Sequence, residues 1–109
     1  MHELAIVQSL VEAVTERTGE ARVATVHVRV GRLSGVLPGA MRFCFELVVA
    51  GTPLEGAGLD IEQPEGRALC RACGDEFAVP DLVLLCDCGS ADVVVTAGRE
   101  LTVSSVRLA

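Results

Sequence analysis

Apolar residues recur at two different periods along this chain, and the change of period separates its elements. Over residues 4–18, Leu4, Val7, Val11 and Val14 recur at helical spacing, with Ile6 and Leu10 alongside. A single apolar face predicts an amphipathic helix. Glu3 suits its positive N-terminal end, and Gly19 suits its stop. Over residues 22–30 the period falls to two. Ala24, Val26, Val28 and Val30 face one way, while Val23, Thr25, His27 and Arg29 face the other. That alternation predicts a strand with one side on a core. Pro38 opens a second helix, whose stripe is Met41, Cys44, Phe45 and Val48 and whose end is Gly51. A strand follows at 59–62. Residues 92–96 and 101–108 are also β-like, with Gly98 between them. The order is α-β-α-β, a cysteine-bearing segment, and a closing strand.

Composition narrows the function classes. Of 109 residues 50% are hydrophobic, enough for a packed core. No apolar run approaches the roughly 18 residues of a membrane span. The Met1-His2-Glu3-Leu4 start has no basic signal-peptide region, so a cytoplasmic location is expected. The net charge is -6, with no Lys, Trp or Tyr and scattered Arg. Nucleic-acid binding needs a basic footprint and often aromatic stacking, so it is excluded. No nucleophile–base pair, phosphate loop or dinucleotide fingerprint is visible, which argues against an enzyme.

The candidate chemistry lies in two places. Cys70-Arg-Ala-Cys73-Gly74 and Cys86-Asp-Cys88-Gly89 form two cysteine pairs, with Gly74 to Leu85 between them. Four converging thiolates suit tetrahedral zinc and leave no open position for water, so the site reads as a staple. The first pair fits a knuckle turn. The second has one spacer residue, Asp87, and requires a different turn. Iron in a rubredoxin-like site uses similar ligands, so the residues alone leave the metal open. Cys44 reads as a small buried hydrophobe. The second place is Met1-His2-Glu3. An amine at Met1, the His2 backbone nitrogen and the His2 imidazole are able to chelate one cation through small fused rings, with Glu3 adding its amide nitrogen or carboxylate. Nitrogen and oxygen donors suit Ni(II) or Cu(II). His27 reads as a surface or packed histidine.

Several motifs in order then resemble one family: Met1-His2-Glu3-Leu4, Val30-Gly31-Arg32-Leu33-Ser34-Gly35, Arg42-Phe43, Phe45-Glu46, the cysteine pairs, Cys88-Gly89-Ser90, and Gly98-Arg99-Glu100-Leu101. Together they resemble the HypA family, nickel metallochaperones of nickel–iron hydrogenase maturation. The resemblance implies an α+β fold: a three-stranded sheet flanked by two helices, with an inserted zinc-ribbon-like module. It implies a nickel-binding domain of residues 1–66 completed by 98–109, and a zinc module of 67–97. Nickel would be bound by Met1 and His2 with Glu3, and zinc by Cys70, Cys73, Cys86 and Cys88. The implied partners are the HypB GTPase and the hydrogenase large-subunit precursor, and the expected state is a monomer or weak dimer. The chain departs from the family in its one-residue second spacer. It also has no Asp or Glu between Arg32 and Arg42, where some members are expected to carry a further nickel-binding carboxylate. Gly66 and Gly98 are expected hinges between the two metal sites. A zinc-ribbon adaptor without nickel delivery and a rubredoxin-like electron carrier are the competing readings.

Overall fold

The computed structural model describes residues 2–109. Its elements are α1 (Glu3–Thr18), β1 (Val23–Val30), α2 (Pro38–Val49), β2 (Gly58–Glu62), β3 (Gly66–Cys70), β4 (Glu76–Val79), β5 (Val93–Ala97) and β6 (Leu101–Leu108). They form two three-stranded sheets, ordered β2-β1-β6 and β4-β3-β5. The molecule is elongated, 53 × 20 × 17 Å.

The first sheet carries the larger core. β2 lies parallel to β1, and β6 returns antiparallel on its other side. Val26, Val28 and Val30 point from β1 into a cluster with Val7, Val11 and Val14 of α1 and Met41, Phe45 and Val49 of α2. Spacings of three and four residues place each helical trio on one face, which gives the burial the apolar periodicity predicts. Both helices therefore cover the same side of the sheet. The other side is polar, and there His27 Nδ1 lies 2.9 Å from Asp60 Oδ2. The α+β fold and element order match the sequence expectation, and Cys44 packs half-buried against this core.

Two residues of β1 depart from the alternation: Ala24, expected on the inner face, is only half-buried and outside the core cluster, and Val23 takes the inner position instead. Val23 is expected on the outer face but is 4% exposed, within the core. The register against β6 shifts between Val23 and Thr25. A bulge there adds a residue and turns the Val23 side chain inward.

Between the sheets the chain crosses itself at three buried glycines, Gly31, Gly66 and Gly98. A Cβ on Gly31 would overlap the Gly98 carbonyl, and one on Gly98 would stand 2.6 Å from Gly66 Cα. Gly98 also has φ +104°, which side chains rarely tolerate. Backbone hydrogen bonds close the crossing: Gly31 N–H donates to Glu100 O at 2.8 Å, Arg32 N–H to Pro64 O at 3.0 Å, and Leu33 N–H to Gly98 O at 2.7 Å. The Gly98 N–H donates to Glu100 Oε1 at 2.7 Å. The two expected hinge glycines thus meet in a close-packed, hydrogen-bonded junction.

Candidate metal centres

The four paired cysteines converge. Cys70 ends β3, Cys73 lies in the following turn, and Cys86 and Cys88 arrive by the segment after β4. Their sulfurs all lie within 4.8 Å of one another. Cys70 Sγ is 3.7 Å from Cys88 Sγ, and Cys73 Sγ is 3.6 Å from Cys86 Sγ. Four sulfurs at tetrahedral zinc bond lengths stand about 3.8 Å apart. The donor set and its spacing therefore fit a closed tetrathiolate ion. Among the described residues this is the one group arranged to hold a metal.

The short second spacer has a structural answer. In the first turn, Gly74 N–H donates to Cys70 O at 2.8 Å and Cys70 N–H to Asp75 O at 2.9 Å. In the second, Gly89 N–H donates to Cys86 O at 2.9 Å and Cys86 N–H to Ser90 O at 3.0 Å. Each bond of the second turn spans one residue fewer. The loop is the first knuckle tightened by one residue, and positive φ at Gly74 (79°) and Gly89 (92°) permits both.

Backbone amides also prepare the sulfurs. The Cys73 N–H, against the opposing effect of burial, and then the Ala72 N–H hold the Cys70 thiol down at about 7. Cys73 receives the Asp75 N–H and the Cys86 thiol, which lower it. The neighbouring Cys70 thiol, burial and Cys88 outweigh them and raise it overall. At Cys86 the Cys88 N–H works downward, but burial and the adjacent thiols push it up to about 12. Four thiols this close cannot all ionise without a cation between them. The cluster is electrostatically incomplete as bare thiolates, and a divalent ion removes that conflict.

The N-terminal candidates are arranged differently. Met1 lies outside the described residues. His2 is exposed and caps α1 by its backbone alone: its carbonyl accepts the Ile6 N–H at 3.1 Å, and its side chain makes no capping bond. Its imidazole is thus uncommitted among the described residues. Glu3 Oε2 accepts the Leu37 N–H at 3.3 Å. That bond, then its own backbone N–H, holds the Glu3 carboxyl below its ordinary value. The loop before α2 has no carboxylate of its own, and Glu3 reaches it from α1. Residues 34 positions apart meet there, a contact no local pattern announces. Nor does spacing reveal the His27–Asp60 pair, which depends on the parallel register of β1 and β2.

Comparison with known proteins agrees over the whole chain. A family model described as "Hydrogenase/urease nickel incorporation, metallochaperone, hypA" matches residues 1–108. The chain is 44% identical over 109 residues to hydrogenase maturation factor HypA of Chlorobaculum tepidum, covering 96% of each chain. It is 39% identical over 108 residues to that of Nostoc punctiforme, covering 99% of this chain and 96% of the other. In fold it is similar to the solution structure of the Ni metallochaperone HypA from Helicobacter pylori, with a TM-score of 0.68, 24% identity and coverage of 99% and 97%. The chain belongs to the HypA family of hydrogenase/urease nickel-incorporation metallochaperones.

Proposed function

We propose that this protein carries Ni(II) for the maturation of nickel–iron hydrogenase. Nickel is bound at Met1 and His2, with Glu3 beside them, and one Zn(II) is held by Cys70, Cys73, Cys86 and Cys88. In this reading residues 1–66 with 98–109 form the nickel-handling unit and 67–97 the zinc module, in the cytoplasm. The proposed partners are the HypB GTPase and the hydrogenase large-subunit precursor. The observation that carries the reading is family membership over residues 1–108, supported by an exposed, uncommitted His2 at the head of α1.

The chemistry follows from the two donor sets. Bound zinc supplies cross-linking charge and no open coordination position. Around it, the amides of Ala72, Cys73, Asp75 and Cys88 support the thiolates. At the other site the nickel cargo meets nitrogen donors on an exposed helix head. Such donors leave one at a time, so a partner is able to take the ion by stepwise ligand exchange. Nitrogen and oxygen donors suit Ni(II) or Cu(II), while four sulfurs suit zinc, so the two sites would compete little for one ion.

Calorimetric titration with Ni(II) tests this reading. One stoichiometric site is expected in the natural chain, and none after insertion of a single residue before Met1. Undiminished binding by the extended chain would refute the N-terminal assignment. A colourless zinc-loaded protein is expected, whereas iron–thiolate absorption would favour the electron-carrier reading.

A further inference from the structure

The segment from Pro80 to Leu85 is not explained by metal binding. β4 runs back along β3 until Val79 stands opposite Gly66, at the junction. Residues 80–85 must then return along the ribbon to bring Cys86 to the other sulfurs. This strap contains no helix or strand. Leu84 turns inward and packs on the ribbon core of Leu33, Ala68 and Val79. Its neighbours turn outward: Leu82 is 73% exposed, Val83 64% and Leu85 51%. Asp81 Oδ1 accepts the Val83 N–H at 2.8 Å within the turn that presents them. Three large apolar side chains on so short a stretch form a cluster of the kind that marks an interaction surface.

The surrounding charge says what covers them. Residues 67–97 carry five carboxylates, Asp75, Glu76, Asp81, Asp87 and Asp92, against two basic side chains, Arg67 and Arg71, so the ribbon is acidic overall. A second copy of the same strap would set acid against acid. A segment with apolar side chains flanked by Lys or Arg would bury the leucines and meet the carboxylates. α2 and its N-cap also expose apolar residues, Leu37, Phe43 and Leu47, but Arg42 and Glu46 leave its flanks mixed in charge.

We propose that the 80–85 strap is a docking ridge for an amphipathic segment of another protein, one with leucine-like side chains bordered by basic residues. The ridge lies within the zinc module and leads directly into Cys86, but it is remote in sequence from the N-terminal residues, and its use does not depend on nickel.

The test uses the full-length, zinc-loaded protein and a fluorescein-labelled leucine–lysine amphipathic peptide, read by anisotropy. Saturable binding is expected. It should weaken at least about tenfold in Leu82→Ser/Leu85→Ser, which leaves net charge unchanged, and hold in Phe43→Ser/Leu47→Ser. If the strap variant loses zinc, Leu82→Lys is read instead, since its side chain lies mostly in solvent; it should weaken binding comparably. Absence of peptide binding, equal binding by natural and strap-variant proteins, or greater loss in the α2 variant overturns the proposal. So does strap-dependent self-association in sedimentation without peptide, which would make a second copy the occupant.

Discussion

The cysteine cluster and the N-terminal end differ in how much of the fold is committed to them. Two hydrogen-bonded turns and a three-stranded sheet bring the four thiols together, and Cys70 and Cys86 are buried. Among the described residues the N-terminal end has an exposed imidazole on a helix cap, and Glu3 accepts the Leu37 N–H. A site built to retain an ion needs preorganised, enclosed ligands. A site built to release one needs ligands that leave individually. On the proposed assignment, the two sites would differ in second contacts as well as in the choice of sulfur or nitrogen donors.

Removing a zinc ligand should give the largest contrast. Cys70→Ser is expected to abolish stoichiometric zinc binding and collapse the amide-resonance dispersion of 66–97, because metal binding and folding of such a module are linked. The α1, α2 and β1 resonances should persist, since their core contains no residue of the ribbon. Collapse of both regions would show that the two sheets fold as one unit.

The junction should come next. Gly31→Ala places a methyl against the Gly98 carbonyl, and a cost of about 3 kcal/mol is expected from overpacking at a backbone crossing. Denaturant unfolding of the zinc-loaded protein measures it. An unchanged midpoint would mean that the crossing opens freely, as a hinge would.

Much of this architecture is legible in sequence because the relevant signals are local. Val7, Val11 and Val14 announce α1, and Val26, Val28 and Val30 announce the inner face of β1. The cysteine pairs are equally local, since ligand spacing is set by a single turn. What stays hidden depends on distant pairing. Val23 turns inward because of a bulge set by β6, more than 70 residues on. Gly66 and Gly98 read as hinges, and only the folded chain shows that they meet Gly31 in a close-packed crossing. The tightened second knuckle depends on a bond to Ser90, beyond the cysteine pair itself.

A smaller effect is expected at Glu3. A carboxyl with a lowered folded-state value contributes stability above its unfolded value, and that contribution is lost as pH falls through the folded value. An NMR titration should place the Glu3 midpoint below the ordinary 4.5, with the Leu37 amide shift following it. Glu3→Gln should lower the unfolding midpoint slightly at neutral pH, and the difference should vanish in acid. A Leu37 shift independent of Glu3 would remove the tether between α1 and α2. The smallest effect is at Asp60→Asn. It breaks the His27–Asp60 pair on the exposed face, where surface pairs contribute little, and no measurable change in stability or metal content is expected.

The most direct test of the division between retention and release is a nickel titration of zinc-loaded natural and His2→Ala proteins, with both metals quantified in each. The account predicts one zinc per chain throughout, with one bound nickel in the natural protein and none in His2→Ala. Nickel binding that survives His2→Ala, or nickel that displaces the zinc, would contradict it.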